Sequence, residues 1–414
     1  MRHFPRVTTG AADTIYNVPA LTFEEARRVV LETVASTLPP LGVEELPLGE
    51  AAGRVLARDY KADRDYPALA RSVRDGYAVR AGDLPGTLQW AGEVRAGEQF
   101  PETLQPGQAI EIMTGAPVPD GADSVVMIEH CRVVGDRITP DRTIMARENI
   151  DPAGSMCHAG DVVAPRGRRI GAPEISMLAS IGADPLLVHP RPRVAILSTG
   201  DELVEVREAP APHQIRNSNA HALAVQVARA GGVPHILPIA RDTMVSTIEL
   251  IGDGLEADLL LISGGVSAGK YDVVERTLGT LGAEIYFERV LVQPGQPLVF
   301  GRCHGKFFFG LPGNPASTMV CFEVFARAAL ELLGGQSETS LPLTESTLSE
   351  PMQLRPGLTR FLPAHLSPDG RTVTPARWQG SGDVVALARA NCYVVAAPDR
   401  KRYEAGERIR VLPR

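Results

Sequence analysis

The chain has 414 residues, of which 44% are hydrophobic and 22% are charged, so it has enough apolar material for a core and is not disordered as a whole. At roughly 150 residues per domain, this length predicts several domains. The formal net charge of −7 argues against a dedicated nucleic-acid-binding protein, because the binding domain of such a protein is usually basic.

The first part of the chain predicts a helix followed by a β-rich region. Thr22 and Glu25 form a capping box, and apolar residues then recur at helical spacing until Pro39. A second short helix is predicted over 48–57. From Tyr60 to about Arg166, short apolar segments alternate with Gly and Pro turns, which is typical of an all-β region.

After Pro192 the pattern changes to alternating strands and helices. Strands are predicted at 194–197, 235–239, 258–262 and 306–310, and helices at 218–229, 246–255, 271–281 and 316–333. Continuous apolar strands alternating with helices predict a parallel sheet that is covered on both faces. Beyond a linker at 334–337, short strands again predict a small β-barrel or sandwich.

Polar, glycine-bearing loops follow the predicted strands of this sheet. In a parallel α/β sheet the ligand crevice lies beyond the carboxyl ends of the strands, so we expect these loops to line one crevice. Glycines and the amides at a helix start suit an anion, and carboxylates suit Mg²⁺. The predicted crevice residues are Ser198, Thr199, Gly200, Asp201, Glu202, Asp242, Ser263, Gly264, Gly265, Ser267, Gly269, Asp272, Pro312, Gly313, Asn314 and Pro315.

Some of these loops also have simpler interpretations. The loop from Gly264 to Lys270 almost matches the phosphate-binding loop of nucleotide hydrolases, but Tyr271 stands where Ser or Thr would hold Mg²⁺. A strand-to-helix turn without a ligand is the other alternative. In the β-rich region, the polar turns that contain Asp75 and Thr114 could be hairpin corners.

The chain has no apolar run near the roughly 18 residues of a membrane span, and residues 1–19 lack the apolar stretch of a signal peptide. We therefore expect a cytoplasmic protein that contacts neither membrane nor nucleic acid. The five cysteines form no C-x-x-C pair, so neither a disulfide framework nor a zinc site is predicted.

Taken together, the motifs resemble those of the molybdopterin molybdenumtransferases, which make molybdenum cofactor and also form the C-terminal domain of gephyrin. The resemblance runs from Ala20 to about Pro398. It rests on five segments in the order and spacing of that family: Asp-Gly-Tyr-Ala-Val-Arg from Asp75, Met113 to Ala116, Ser198 to Glu202, Ser263 to Asp272, and Leu311 to Pro315.

The resemblance implies a multidomain α/β plus all-β protein. Residues 1–59 and 146–189 would form an elongated, discontinuous N-terminal region, and residues 60–145 a β-rich domain. Residues 190–335 would form a three-layer α/β/α domain that binds the molybdopterin nucleotide, and residues 340–414 a C-terminal β-barrel. The implied assembly is a homodimer, in which the cleft lies between the α/β domain of one subunit and the β-rich domain of the other.

The implied reaction takes molybdate and adenylylated molybdopterin, releases AMP and inserts molybdenum with the help of Mg²⁺. The family's cleft residues carry over onto Asp75, Thr114, Glu202, Asp242 and Asp272, of which Glu202, Asp242 and Asp272 would hold Mg²⁺. A molybdopterin adenylyltransferase is the implied delivery partner, through transient contact.

The chain departs from the family pattern at two places. Met156 replaces a carboxylate, and Gln293 and Gln296 replace two cations, for which Arg289, Arg71 or Arg74 could substitute. Each lost charge-assisted contact is worth on the order of 1.5–3 kcal/mol. Three functions therefore stay open: the transferase, a non-catalytic scaffold that binds the pterin, and a nucleotide hydrolase.

Overall fold

A computed structural model describes residues 20–265 and 273–414. It contains a six-stranded sheet in the β-rich region, a six-stranded sheet flanked by helices, and a closed five-stranded barrel near the C-terminus. The multidomain α/β plus all-β class predicted from the sequence is confirmed. None of the helices in the described ranges is long and apolar enough to span a bilayer.

The N-terminal part begins with a capped helix, for which Thr22 and Glu25 form the predicted capping box. The elements of this part are α1 (Phe23–Thr37), β1 (Glu44–Leu46), β2 (Tyr60–Lys61), β3 (Arg71–Ser72), β4 (Gly76–Val79), β5 (Leu88–Val94), β6 (Gln108–Ile112), β7 (Ser124–Met127), β8 (Cys131–Val134), β9 (Arg137–Pro140), β10 (Ile150–Asp151), β11 (Val162–Ala164), α2 (Ala172–Ser180) and β12 (Leu186–Val188).

Three short antiparallel ladders connect the β-rich sheet to the rest of the chain. The sheet itself has the strand order β7-β4-β6-β5-β9-β8. On the way into the sheet, strands β1, β2 and β3 pair with β12, β11 and β10, which lie on the way out. The outgoing and returning segments therefore run side by side.

The helix predicted over 48–57 is wrong. Only Leu48–Glu50 forms a single 3₁₀ turn, and the chain then turns at Gly53, whose φ is +78°. Two glycines within six residues explain the difference, because each costs about 1 kcal/mol relative to Ala in a helix.

The second part of the chain alternates strands and helices as predicted. Its elements are β13 (Arg193–Ser198), β14 (Leu203–Val204), β15 (Ile215–Arg216), α3 (Asn219–Arg229), β16 (Val233–Ile236), α4 (Met244–Gly254), β17 (Leu259–Ser263), α5 (Val273–Thr280), β18 (Glu284–Arg289), β19 (Val292–Gln293), β20 (Pro297–Cys303), β21 (Lys306–Leu311), α6 (Pro315–Cys321), a π-helical turn (Phe322–Ala326) and α7 (Arg327–Leu333).

The sheet of this part has the order β16-β13-β17-β21-β20-β18 and is mixed. The four strands from β16 to β21 are parallel, whereas β20 and β18 are antiparallel to their neighbours. The four predicted strands are therefore parallel as expected, and the antiparallel pair β20 and β18, which was not predicted, extends the sheet at this edge. The cause is the tight turn at His304 and Gly305, both with positive φ, which folds β20 directly back onto β21.

Helices cover both faces of this sheet. Along β13, Val194 and Ile196 pack into the cluster that contains α3 and α6, whereas Ala195 and Leu197 pack into the cluster on the opposite side, beneath α4 and α5. Because alternate residues of a strand face opposite sides, a continuous apolar strand requires both layers. The predicted three-layer arrangement is confirmed.

The C-terminal barrel packs against the helices of the preceding part. Its elements are β22 (Thr344–Leu348), β23 (Met352–Gln353), β24 (Thr359–Leu366), β25 (Thr372–Pro375), α8 (Val384–Arg389), β26 (Cys392–Ala396), β27 (Arg402–Tyr403) and β28 (Arg408–Pro413). Strand β19 pairs with β24. The ring of Phe23 on α1 contacts the rings of Phe325 and Phe361 edge-on at 5.5 and 5.3 Å.

Candidate functional site

The carboxyl ends of the parallel strands bring the predicted loops together at one edge of the sheet. The amide of Thr199 donates to the Ser263 carbonyl at 3.0 Å. The amides of Gly200 and Gly264 donate to the carbonyls of Ala240 and Leu311 at 3.2 and 3.1 Å. These bonds join the loops that follow four neighbouring strands, so residues 198–202, 240–242, 263–265 and 311–315 lie side by side.

The close approach of these loops requires glycine at position 264. Gly264 has a φ of +93°, and a Cβ added there would lie 2.7 Å from the Thr199 carbonyl oxygen. The neighbouring Thr199 side chain is 4% exposed, and its Oγ1 has no hydrogen-bond partner among the described residues. The buried hydroxyl of Thr199 therefore lies beside the tightly packed backbone of Gly264, which carries no side chain.

Two asparagines at the start of α3 hold the loops in place. The Asn219 amide donates to Ser263 Oγ at 2.9 Å and to the Gly313 carbonyl at 2.7 Å, with a longer contact of 3.3 Å to Thr318 Oγ1. Asn217 Oδ1 accepts from Ser198 Oγ at 2.9 Å. Sequence reasoning missed both residues, although two asparagines spaced by one serine at a helix start are an available signal.

The acidic residues of the first two loops are interlocked. The Asp242 amide donates to Asp201 Oδ1 at 3.2 Å, and the Asp201 amide donates to Asp242 Oδ2 at 3.4 Å. The Glu202 carboxylate folds over Gly200, where a Cβ would lie 2.5 Å from Oε2. All three carboxylates belong to exposed residues, which keeps oxygens accessible at the sheet edge.

Two of the three predicted magnesium ligands lie among the described residues. Glu202 and Asp242 supply hard oxygen donors at one edge, as Mg²⁺ requires. The third predicted ligand, Asp272, lies outside the described residues, as do Ser267 and Gly269. Residues 20–265 and 273–414 alone contain no group of three His, Cys, Asp or Glu side chains that could hold a metal ion.

Asp75 and Thr114 form a separate constellation on the β-rich sheet. Asp75 Oδ1 accepts from the Thr114 amide at 2.7 Å and from Thr114 Oγ1 at 2.8 Å. These two bonds, the amide's first, lower the pKa of the Asp75 carboxyl below its usual value. Both residues are exposed, so this ionised carboxylate faces outward directly before the start of β4.

The position where the family resemblance implies a carboxylate is an exposed turn. Met156 is 66% exposed, and its amide donates to the Tyr66 carbonyl. Nearby, Asp151 accepts from Ser155 Oγ and from the guanidinium of Arg71, and both interactions lower its pKa. Arg71 is therefore already paired, whereas Arg74 is exposed and has no carboxylate partner among the described residues.

Gln293 and Gln296, where the family resemblance implies cations, each contact an arginine. Gln293 Oε1 accepts from Arg360 Nε at 2.7 Å, and Arg360 is only 6% exposed. With its amide oxygen turned to Arg289, Gln296 accepts from Nη2 and Nε at 3.0 and 3.2 Å. Positive charge is thus retained beside both positions, supplied by β18 and by the barrel strand β24.

Comparison with known proteins agrees with this architecture. Three family models match in succession: the MoeA N-terminal region (domain I and II) over residues 21–182, a "Probable molybdopterin binding domain" over residues 195–332, and the MoeA C-terminal region (domain IV) over residues 345–413. A curated molybdopterin molybdenumtransferase of Staphylococcus epidermidis is 32% identical over 375 residues, covering 88% of this chain and 90% of the relative. The chain belongs to the molybdopterin molybdenumtransferase family.

Further relatives are similar over nearly the whole chain. The molybdopterin molybdenumtransferase of Staphylococcus aureus is 31% identical over 399 residues, covering 94% of both chains. The crystal structure of the molybdopterin biosynthesis MoeA protein from Pyrococcus horikoshii OT3 matches 96% of this chain and 100% of that chain, with a TM-score of 0.78 and 27% identity. The similarity to the molybdenumtransferase family therefore includes all three structural parts.

Proposed function

We propose that this protein inserts molybdenum from molybdate into adenylylated molybdopterin and releases AMP. The observation that carries the proposal is the convergence of four strand-end loops, two of which share Asn219 as a donor, in a chain whose relatives are named for molybdenum transfer to molybdopterin. Among the residues that the structure describes, the site offers bare amides and carboxylates rather than a nucleophile with an adjacent base. Cleavage of a phosphoanhydride requires such positioning and charge stabilisation more than covalent participation.

Different loop residues would bind different parts of the substrate. The amides beside Gly264 and Gly313 and the buried Thr199 hydroxyl are suited to hold phosphate oxygens, because backbone donors at strand-to-helix turns attract anions. Residues Ser198, Gly200, Asp201, Ser263, Gly265, Ser267, Gly269, Pro312, Asn314 and Pro315 would complete the binding surface. A molybdopterin adenylyltransferase would supply the adenylylated pterin.

Glu202, Asp242 and Asp272 would hold Mg²⁺ in this cleft. When bound, the ion would neutralise charge on the phosphate oxygens as the anhydride breaks. The backbone bonds between Asp201 and Asp242 orient the Asp242 carboxylate before any ligand binds.

Asp75 and Thr114 would act in the cleft of a partner subunit in a homodimer. Their mutual hydrogen bonds keep Asp75 ionised and leave its second oxygen without a bond to Thr114, so this oxygen could orient a donor such as a hydroxyl or water. Because Asp75 already has its donor in the same chain, its geometry does not depend on the substrate.

The retained arginines favour turnover over a non-catalytic scaffold. The scaffold interpretation depended on the loss of two cations, and Arg360 and Arg289 lie within hydrogen-bond distance of the replacing glutamines. We infer that these guanidiniums supply the positive charge that attracts molybdate or the pterin phosphate.

The test measures AMP release and molybdenum cofactor formation from adenylylated molybdopterin and molybdate. We expect Asp242→Asn to lower both by at least tenfold, because it removes a charge that faces the cleft. The matched control is Asp253→Asn, which changes an exposed carboxylate on α4 outside the strand-end loops. Full AMP release by Asp242→Asn at saturating Mg²⁺, or binding of the pterin without turnover by the unmodified protein, would contradict the proposal.

A further inference from the structure

The acidic turn at 201–203 and the loop after β16 meet through a few long hydrogen bonds. The Gly200 amide donates to the Ala240 carbonyl at 3.2 Å. The amides of Asp201 and Asp242 each donate to the carboxylate of the other residue, at 3.4 and 3.2 Å. These last two bonds end on carboxylate oxygens, and the Asp242 carboxylate is a proposed ligand of Mg²⁺. A bound cation would therefore compete with the Asp201 amide for Asp242.

Arg241 joins the same turn and loop without using a carboxylate. Its Nη1 donates to the carbonyls of Asp201 and Leu203, both at 3.3 Å. These carbonyls precede and follow Glu202 in the chain, so the guanidinium spans the residue that carries the other described magnesium ligand. Arginine stays charged, and a charged donor makes the stronger kind of hydrogen bond. Because both acceptors are carbonyls, these bonds remain available when a cation occupies the carboxylates.

The backbone of Arg241 is anchored to the start of α4. Its amide donates to Ser246 Oγ at 3.3 Å, and its carbonyl accepts from the Thr243 amide at 2.6 Å and from Thr247 Oγ1 at 3.4 Å. Thr247 is 1% exposed, and Thr243 caps the helix by accepting from the Ser246 amide. The side chain of Arg241 therefore extends to the acidic turn from a fixed point on the helix.

Charge balance does not account for the placement of this arginine. Among the described residues of the four strand-end loops, three are acidic, Asp201, Glu202 and Asp242, and Arg241 is the one cation. A residue that only balanced this charge would pair with a carboxylate. Both side-chain hydrogen bonds of Arg241 in the described part of the chain go to backbone carbonyls instead.

We propose that Arg241 is a positioning residue, which holds the 201–203 turn so that Glu202 stays at the same edge as Asp242 when a cation binds. The inference rests on the proposed function, in which these two carboxylates hold Mg²⁺. In this role Arg241 touches neither the ion nor the substrate. Without its bonds, the turn is in place in only a fraction of the molecules, and the apparent affinity for the cation falls by that fraction.

Amide hydrogen exchange of the substrate-free full chain tests this role independently of the reaction. Arg241→Met removes the donor but keeps a long side chain, so we expect faster exchange in the segment 200–204, because exchange reports local opening. Arg241→Lys should stay close to the wild type, since both bonds use one nitrogen and Nζ of a lysine can donate to two carbonyls. The control is Arg207→Met, at an exposed arginine beyond the turn. Equal exchange in Arg241→Met and the wild type would overturn the proposal, as would equal acceleration in the control.

Binding of Mn²⁺, followed by electron paramagnetic resonance, shows whether Arg241 acts by position or by charge. Removal of a positive charge near a cation site by itself strengthens cation binding, whereas loss of positioning weakens it. We expect Arg241→Met to raise the dissociation constant of Mn²⁺ by about tenfold, which corresponds to a charged hydrogen bond at the low end of its usual strength. Arg241→Lys should restore the affinity, and Arg207→Met should leave it unchanged or increase it.

Unchanged or tighter Mn²⁺ binding by Arg241→Met would overturn the proposal. A wild type that binds no Mn²⁺ would show instead that the proposed magnesium site is wrong, and the exchange measurement would then decide the role of Arg241. A failure of the proposed function can therefore be distinguished from a failure of this inference.

Discussion

Substitution of Asn219 tests whether a single amide holds the substrate crevice in shape. Asn219→Ala removes bonds to Ser263 Oγ, the Gly313 carbonyl and Thr318 Oγ1, of which the first two measure 2.9 and 2.7 Å. Ser263 and Thr318 are buried, at 3% and 0% exposure. With each lost bond worth about 1 kcal/mol, and the longer contact less, we expect the free energy of unfolding to fall by about 2–3 kcal/mol.

Activity measurements on the Asn219 variants show whether Asn219 positions the crevice loops for the reaction or only stabilises the fold. The assay is cofactor formation from adenylylated molybdopterin and molybdate, at a temperature where each variant is folded. We expect kcat/KM to fall at least tenfold in Asn219→Ala, because the 263 and 313 loops lose their shared donor. Asn219→Asp preserves the shape but cannot donate and faces the Gly313 carbonyl, so its loss should be at least as large.

The control for this experiment is Asn391→Ala. Asn391 also uses its side-chain amide to hold the backbone, at Leu366 in the barrel, by two hydrogen bonds of 2.8 and 2.9 Å. This variant should lose stability but not activity once folded. The reasoning is refuted if Asn219→Asp is fully active, or if Asn219→Ala loses no more activity than the control.

Two further predictions concern charge outside the crevice loops. Burial, followed by the nearby charge of Glu275, raises the pKa of Glu288 from 4.5 to about 7, so folding takes up a proton and the free energy of unfolding should fall as the pH rises through this interval. Glu288→Gln should remove this decrease and be more stable than the wild type above pH 7, as measured by urea unfolding across pH. Gln293→Lys should lower the free energy of unfolding by about 1.5–3 kcal/mol, because it takes the acceptor from buried Arg360 and adds a like charge.

Each of these predictions has its own check. For Glu288, the check is the slope of the free energy of unfolding against pH. Equal slopes in the variant and the wild type would show that another group causes the decrease. For Gln293, the matched variant is Gln293→Glu, which keeps an acceptor for Arg360. This variant should be at least as stable as the wild type, whereas Gln293→Lys should be less stable. A Lys variant as stable as the wild type would mean that Arg360 does not depend on residue 293.

Local patterns in the sequence predicted the elements that position the crevice. The continuous apolar strands β13, β17 and β21 and the capped helix α1 are short-range signals, and the loops after these strands meet at one edge because parallel strands share a direction. The pair β18 and β20 was not predicted. The apolar runs of these strands are only three residues long, at 285–287 and 298–300, and the direction of β20 relative to β21 is set by the turn at His304 and Gly305.

The residues that tie the crevice together could not be predicted from the sequence. Asn219 matters because the 263 loop, the 313 loop and helix α6 converge on its amide. The paired asparagines at the helix start single out this residue as polar, but they do not show which distant segments it contacts. The contacts that the two glutamines make were also not evident from the sequence. In the sequence, Gln293 and Gln296 were interpreted as lost cations, for which Arg289 was one of the proposed substitutes. The contact of Arg360 with Gln293 is shown only by the fold.

The paired ladders of the N-terminal part determine which segment of this protein could be removed or exchanged as a unit. Beyond β3 and β10, the amide of Val73 donates to the carbonyl of Asn149 at 3.1 Å, so the two ends of the intervening segment adjoin. A segment with adjoining ends can be excised or exchanged without opening its surroundings. Residues 73–149 thus form a cassette, and replacing them with a short turn should leave the α/β sheet and the barrel intact while removing Asp75 and Thr114.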